Sequence, residues 1–265
     1  MRTATSGHVR IAWEQLGDGS GDPVLFVHGL GYERHGWGPA PELLAERYRV
    51  LVFDNRGVGQ SDIPPPPYTV AGMAADALAV LDAAGIERAH VIGASLGGMI
   101  SQELVLAAPA RVDRLVLCCT TAGGTSAYPM PEKTQVAFAA FAADPSEQGL
   151  RLLVENALAE KTVQTRPELV EEVLAYRVAH RPRLEGWQAQ AFAAFGFDTN
   201  GRLAGIQAPT LVVHGTADNV VDHRNAQLIA DAIPGARLEL LSDAGHIFMW
   251  EQPERFAELV TEFLG

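Results

Sequence analysis

The feature that most constrains the fold is a repeated alternation of short apolar runs with helix-forming segments. Six runs of mainly apolar residues predict strands, namely 24–27, 50–53, 90–92, 115–117, 211–213 and 238–241. Near-continuous apolar strands separated by helices are typical of a parallel sheet that is covered on both faces. An earlier segment, Val9 to Glu14, alternates between apolar and polar residues and predicts an antiparallel edge strand.

The segments between the predicted strands carry sequence signals for the beginning and the end of helices. Thr69 is placed to cap a helix that runs to about Ala84, before Gly85. A second helix is predicted from Ser95 to just before Pro109, and the last one from Pro253 to Leu264. The sequence therefore predicts an α/β architecture.

The alternation stops between Ala122 and Asn200, where helical patterns replace strands. A chain of 265 residues is long enough for one α/β domain plus an insertion. We therefore predict a core of residues 1–121 and 201–265, with residues 122–200 forming a helical cap. The cap carries eight of the 19 aromatic residues, which suits the roof of an apolar pocket, although packing between helices explains the enrichment equally well.

Composition excludes several functional classes. A hydrophobic content of 48% is too high for a disordered chain. No apolar stretch approaches the 18 or so residues of a membrane span, and the first residues lack the apolar segment of a secretory signal, so we expect a cytosolic protein without a membrane partner. The excess of 32 acidic over 20 basic residues argues against nucleic acid as a partner.

Cysteine chemistry is not expected. The two cysteines, Cys118 and Cys119, are adjacent and follow an apolar run. This position predicts small buried side chains, and it argues against a disulfide framework or a zinc site.

The strongest chemical signal is the sequence Gly93-Ala94-Ser95-Leu96-Gly97-Gly98, which lies between a predicted strand and a predicted helix. A nucleophile on a sharp strand-to-helix turn needs small neighbours, because its backbone is strained. Glycines at 93 and 97 meet that need. Ser95 is therefore the candidate nucleophile.

An oxyanion that forms on a substrate carbonyl needs preorganised hydrogen-bond donors. The backbone N–H of Leu96 follows the nucleophile and is one candidate. A second is the N–H of Leu30, in the His28-Gly29-Leu30-Gly31 loop after the first apolar strand. We expect His28 itself to be a structural loop residue.

The candidate base and acid also follow strands. Asp218 lies just after the run that ends at Val213, and His246 lies just after the run that ends at Leu241. In a parallel sheet both would reach the edge that carries Ser95. The alternative acids are Asp222 and Asp243, and the remaining candidate histidines are expected to be surface or packing residues: His180, His214 and His223.

The chain order Ser95, Asp218, His246 resembles that of the α/β-hydrolase superfamily. The segment from Asp54 to Ser61 is similar to the family's D-x-R-G-x-G-x-S loop, and Gly245-His246 followed by the segment Trp250 to Pro253 is similar to its histidine loop. The resemblance covers almost the whole chain. It implies an eight-stranded, mostly parallel sheet with helices on both faces and a helical cap.

The resemblance also implies a function. The members of the superfamily that the chain resembles most are 3-oxoadipate enol-lactonases and small-molecule carboxylesterases. We therefore expect a serine hydrolase of a small ester or lactone that needs no metal or other cofactor. Alternatives are a carbon–carbon bond hydrolase, a cofactor-free perhydrolase, and a ligand-binding protein that keeps the triad. A serine at position 95 sets aside the branches that use an aspartate nucleophile.

The substrate pocket is the part that the residues define least. We expect it to be lined by aromatic side chains, namely Trp37, Phe138, Phe141, Trp187, Phe192 and Trp250. A 3-oxoadipate-type substrate would also need a cation for its carboxylate, and the candidates are Arg34, Arg181 and Arg183.

Overall fold

The computed structural model describes residues 1–18 and 20–265. Eight strands form a single sheet: β1 Arg2–Ser6, β2 Val9–Leu16, β3 Pro23–Val27, β4 Arg49–Phe53, β5 Ala89–Ala94, β6 Val112–Cys118, β7 Thr210–Gly215 and β8 Arg237–Leu241. The strand order is β1-β2-β4-β3-β5-β6-β7-β8, with β1 and β2 antiparallel and the rest parallel. The expected mostly parallel eight-stranded sheet is confirmed.

One strand was missed and another was misplaced at the edge. The alternating segment from Val9 forms β2, which pairs with both β1 and β4, so it is not an edge strand. The edge is β1, whose five residues have the burial pattern of a mainly exposed strand. A short polar strand of this kind carries too little apolar signal to be predicted.

Eleven helices occur in the described residues: α1 Ala40–Ala45, α2 Val70–Ala83, α3 Leu96–Ala107, α4 Glu132–Ala143, α5 Glu147–Ala157, α6 Glu160–Thr165, α7 Pro167–Ala179, α8 Leu184–Phe195, α9 Arg224–Ala232, α10 Phe248–Glu251 and α11 Pro253–Leu264. Two single 3₁₀ turns span Pro109–Arg111 and Leu203–Gly205. The Thr69 side chain caps α2, as expected, by accepting a hydrogen bond from the Gly72 N–H at 3.0 Å.

Alternate residues of each central strand enter two different hydrophobic cores. In β3, Phe26 packs in the core that α1 and α11 cover, and Leu25 packs in the core that α2, α3 and α9 cover. Side chains of a strand point alternately to opposite faces, so a strand that is buried on both sides must be apolar at every position. This is why the strands could be recognised as continuous apolar runs.

Helices α4 to α8 all lie between β6 and β7, in the segment expected to form a cap. The two ends of this segment meet: the Thr199 N–H donates to the Ala122 carbonyl at 2.8 Å, and the Gly124 N–H donates to the Phe197 carbonyl at 3.2 Å. Chain entry and exit at one point let an inserted segment leave and rejoin the core without disturbing the sheet. Among the helices of residues 1–18 and 20–265, none has the length and hydropathy of a membrane span.

Candidate active site

Ser95 lies on the turn between β5 and α3 in a strained backbone conformation. Its φ of 55° and ψ of −119° fall in a region that non-glycine residues rarely adopt, at a cost of about 1–3 kcal/mol. The Ser95 N–H donates to the Cys118 carbonyl at 2.9 Å, and the Ser95 carbonyl accepts a hydrogen bond from the Thr120 hydroxyl at 2.7 Å. Contacts to the end of β6 therefore hold the turn in place.

The glycines on either side of Ser95 are required by close backbone contacts. A Cβ at Gly97 would overlap the carbonyl oxygen of Val27 on β3, and one at Gly93 would overlap the carbonyl of Gly97. The sharp turn therefore packs too tightly against the adjacent strand for any side chain. This geometry accounts for the small residues that the motif predicted.

The candidate oxyanion loop follows β3 and faces the same turn. A Cβ at Gly29 would lie 3.6 Å from the Ser95 hydroxyl oxygen, so this loop approaches the nucleophile closely. Within residues 1–18 and 20–265, neither the Leu30 N–H nor the Leu96 N–H donates a hydrogen bond to another protein group. Both remain available for an incoming oxygen, which is what the predicted role requires.

Two side chains from α7 and α8 hold the candidate oxyanion loop. Gln190 in α8 accepts a hydrogen bond from the Gly31 N–H at 2.9 Å, and its amide nitrogen donates to the Arg56 carbonyl at 2.7 Å. Arg177 in α7 donates to the Gly31 carbonyl at 2.6 Å. Because Gly31 directly follows Leu30, these contacts hold the two peptides that come after the one carrying the predicted donor.

The candidate acid and the candidate base contact each other directly. The Oδ2 atom of Asp218 lies 2.7 Å from Nδ1 of His246, and both side chains are buried. Oδ1 of Asp218 accepts hydrogen bonds from the N–H groups of Val220 at 2.7 Å and Val221 at 3.0 Å. The two alternative acids lie elsewhere: Asp222 pairs with Arg224, and Asp243 pairs with Lys161. Asp218 is therefore the acid that reaches His246.

A second histidine, His214, contacts the same carboxylate. Its Nε2 lies 3.0 Å from Oδ2 of Asp218 and 3.1 Å from the carbonyl oxygen of Val221. Both neighbours are acceptors, so Nε2 carries the proton. We expected His214 to be a surface or packing residue, and its contact with the acid was missed. The four-residue spacing from His214 to Asp218 around the end of β7 is the sequence signal that could have found it.

Asp218 is ionised in this environment. Burial alone would raise its pKa, but the positive charge and hydrogen bonds that His246 and His214 supply bring that pKa well below its usual range. A permanent carboxylate next to Nδ1 fixes the His246 tautomer in which Nε2 has a free lone pair. This is the tautomer that the predicted role of His246 as a base requires.

The loop that carries His246 is attached to the connection between α5 and α6. The His246 N–H donates to the Ala157 carbonyl at 2.7 Å. The buried carboxylate of Glu251 accepts hydrogen bonds from the Gly245 N–H at 2.5 Å and from the Ala159 N–H at 3.0 Å. One side chain therefore ties the base loop to the connection between α5 and α6.

Ser95 and His246 line a common cavity. Its walls are mainly apolar, and they include two of the predicted aromatic residues, Phe138 and Trp187. The centroids of these two rings lie 5.4 Å apart in an edge-to-face arrangement. His28 and Cys119 also line it. Burial lowers the pKa of His28 to about 3 and raises the pKa of the Cys119 thiol well above its usual value, so both side chains are uncharged at neutral pH.

Four other aromatic residues that we expected in the pocket do not line this cavity. Trp37 is fully buried against Phe26, and Phe141 is buried behind Trp187. Phe192 points away from the cavity, with 70% of its surface exposed. Trp250 donates its indole N–H to the Gly36 carbonyl at 2.8 Å. Sequence shows that a residue is aromatic, but the face of each helix that turns toward the cavity depends on tertiary packing.

The arginine in the cavity is also different from those expected. Arg34 pairs with Asp54 at 2.7 Å and lines a separate surface groove together with Arg181 and Arg183. The cavity contains Arg177 instead, which is 2% exposed and lies 3.8 Å over the ring of Tyr32. Within the described residues Arg177 forms no ion pair, and its Nε has no hydrogen-bond partner. A buried cation without an anion is costly, so this group is suited to an electron-rich substrate oxygen.

Comparisons with known proteins agree with this geometry. A family model described as the alpha/beta hydrolase fold matches residues 22–253. The chain is 34% identical over 250 residues to a putative carbamate hydrolase of Azorhizobium caulinodans, covering 93% of this chain and 92% of the relative. It is 32% identical to a 2-hydroxy-6-oxononadienedioate/2-hydroxy-6-oxononatrienedioate hydrolase of Cupriavidus pinatubonensis, covering 97% and 91% of the two chains.

A solved structure gives the same result at the level of the fold. The enol-lactonase from Burkholderia xenovorans LB400 superposes with a TM-score of 0.87 at 27% sequence identity. The match covers 99% of each chain. The likeness therefore extends over the sheet and the helical segment between β6 and β7.

Proposed function

The chain belongs to the α/β-hydrolase family, and we propose that it is a serine hydrolase that cleaves a small carboxylic ester or lactone. Its relatives hydrolyse several kinds of bond, so the family alone leaves the substrate open. The observation that carries the proposal is the 2.7 Å contact between Asp218 and His246 in the cavity that Ser95 also lines. A strained serine, a histidine and a buried carboxylate are the three parts of a nucleophilic acyl-transfer site.

In the proposed acylation, His246 Nε2 takes the proton of the Ser95 hydroxyl as the oxygen attacks the substrate carbonyl. The carbonyl becomes an oxyanion, which accepts hydrogen bonds from the N–H groups of Leu30 and Leu96. Asp218 stabilises the positive charge that His246 gains. The tetrahedral intermediate then breaks its bond to the leaving oxygen, which receives the proton from His246.

Deacylation repeats these steps with water. His246 removes a proton from a water molecule, the resulting oxygen attacks the acyl carbon, and the same two N–H groups stabilise the second oxyanion. Collapse of this intermediate releases the carboxylic acid and returns the proton to Ser95. For a lactone, the leaving hydroxyl stays attached to the product.

The cavity favours a small and mainly apolar substrate. Its lining residues are mainly apolar, among them Leu153 and Met249. Six of its 17 lining residues come from residues 122–200, including Phe138 and Trp187. We therefore propose that this segment acts as a cap that selects the substrate.

Arg177 supports a second candidate, hydrolysis of a carbon–carbon bond. Two kinds of observation favour it: a buried cation with no ion-pair partner among the described residues, and relatives named as hydrolases of dienedioates, which are dianions at neutral pH. A carboxylate of the substrate would then pair with the Arg177 guanidinium. The same Ser95, His246 and Asp218 would serve this reaction, so the two candidates differ in substrate and not in site.

A substrate panel distinguishes the two candidates. We would measure kcat/KM for p-nitrophenyl acetate, for a neutral lactone and for a vinylogous 1,5-diketone that carries a carboxylate. The proposed function predicts that the ester or the lactone is the better substrate. A preference for the diketone by a hundredfold or more would favour carbon–carbon hydrolysis, and no turnover of any of the three would contradict both candidates.

A further inference from the structure

A second cavity adjoins the one that Ser95 and His246 line. Three residues line both cavities: Leu30 in the candidate oxyanion loop, Phe138 in α4 and Val220 in the loop that carries Asp218. The two spaces therefore meet at a boundary formed by side chains from three separate elements. A substrate group that extends from Ser95 past these side chains would enter the second cavity.

The walls of the second cavity offer apolar contact and few free polar groups. Met99, Ala194 and Phe197 supply apolar surface. Asn225, the polar side chain deepest in this wall, already accepts a hydrogen bond from the Tyr128 N–H at 2.9 Å and donates to the Tyr128 carbonyl at 3.1 Å. Because its hydrogen bonds are made within the protein, a polar ligand gains little here, whereas an apolar one gains by leaving water.

The one charged side chain among the residues that line this cavity, Asp222, already has a partner. Asp222 pairs with Arg224, whose guanidinium also lies 4.0 Å over the ring of Tyr128. The carboxylate therefore has its own cation at the rim of the cavity. It leaves no free charge to attract an ionic substrate group.

We propose that the second cavity binds an apolar acyl chain, which makes esters of medium-chain acids the preferred substrates. This inference rests on the proposed ester or lactone hydrolysis. The acyl side is assigned because the leaving oxygen must stay near His246, which lines only the first of the two cavities. The chain that runs away from His246, past Leu30 and Phe138, is then the acyl chain.

The size of the effect follows from the transfer of methylene groups out of water. Burial of one methylene contributes about 0.8 kcal/mol, which corresponds to about a threefold to fourfold change in a binding or rate constant. The account predicts a rise of about this size in kcat/KM for each methylene added between p-nitrophenyl acetate and p-nitrophenyl hexanoate. Alkyl acetates, which lengthen the alcohol instead, should show no comparable rise.

Variants that fill the second cavity with a larger side chain test whether the acyl chain binds there. Ala194 is half-buried on α8 and lines the second cavity only. In Ala194→Phe we expect the acetate rate to stay within about twofold of the wild-type rate and the rise toward hexanoate to disappear. Ala127→Phe, from a loop on the same cavity, is an independent blocking variant. Gln188→Phe is the matched control, because it adds the same side chain at an exposed position of the same helix.

Three results would overturn the inference: a flat wild-type acyl series, an unchanged rise in both blocking variants, or a rise only in the alcohol series.

A binding measurement separates this inference from the proposed function. The Ser95→Ala protein should bind p-nitrophenyl hexanoate more tightly than the acetate, by about threefold per methylene, and Ala194→Phe should remove the difference. If this binding pattern holds while the wild-type protein hydrolyses no ester, the proposed function fails and the acyl site stands.

Discussion

Nδ1 of His246 lies 2.7 Å from Oδ2 of Asp218, although the two residues are separated by 28 positions in the chain. The contact forms because β7 and β8 are parallel neighbours, so the loops that follow them meet at one edge of the sheet. His214 contacts the same carboxylate oxygen from β7 at 3.0 Å. Two histidines and two backbone N–H groups therefore hold Asp218 in a single orientation.

Asp218→Asn should lower kcat for p-nitrophenyl acetate by about 10⁴-fold. An amide cannot stabilise the His246 cation, and it can hold the imidazole in the wrong tautomer. Asp222→Asn is the control, because Asp222 was the neighbouring alternative acid and pairs with Arg224 instead. Equal losses in the two variants would contradict the assignment of Asp218.

Gln190→Ala should lower kcat by about tenfold, which is roughly 1.4 kcal/mol, while KM changes little. The variant removes the acceptor that holds the Gly31 N–H, so the adjacent Leu30 peptide becomes less well oriented toward the oxyanion. Steady-state kinetics measure the effect. Gln188→Ala, at an exposed position on the same helix, should match the wild-type protein. A wild-type kcat in Gln190→Ala would argue against control of the oxyanion loop by the cap.

His28 should make the protein less stable in acid. Burial lowers its folded-state pKa to about 3, whereas the unfolded value is about 6.5. Between these values the unfolded chain binds a proton that the folded protein does not, so stability falls as pH falls through this window. Going from pH 7 to pH 5, this group should cost about 2 kcal/mol of unfolding free energy.

Urea unfolding at the two pH values measures this cost. His28→Asn removes the titrating group, so the difference between pH 7 and pH 5 should shrink by about 2 kcal/mol relative to the wild-type protein. His8→Asn is the control, because His8 is exposed. An identical pH dependence in wild type and His28→Asn would contradict the lowered pKa.

The sheet was predictable from sequence because its central strands are buried on both faces. Residues such as Leu25 and Phe26 must both be apolar, since they enter different cores, and this requirement leaves a continuous run in the sequence. Strand β1 was not predictable, because its residues are mostly exposed and alternate without a strong apolar pattern. The helices of the core were predicted from cap residues, such as Thr69, that the structure uses as expected.

The candidate site was predictable only where local backbone chemistry defines it. Ser95 could be recognised from glycines that the turn itself requires, and Asp218 and His246 from their positions after strands. The residues that line the pocket could not be recognised, since they depend on how helices α4 to α8 are rotated against the sheet. Arg177 and Phe192 illustrate this: one faces the cavity and the other faces solvent, and neither orientation is encoded in a short motif.

The most direct test of the account is the chemistry of Ser95. Turnover of p-nitrophenyl acetate and labelling by a fluorophosphonate would be measured in the wild-type protein, in Ser95→Ala and in Ser242→Ala, which removes an exposed hydroxyl. We predict that Ser95→Ala is not labelled and that its kcat falls by at least about 10⁴-fold, while its thermal unfolding temperature stays close to that of the wild-type protein. Ser242→Ala should match the wild-type protein in all three measurements. Wild-type turnover or labelling in a folded Ser95→Ala protein would contradict the proposed mechanism.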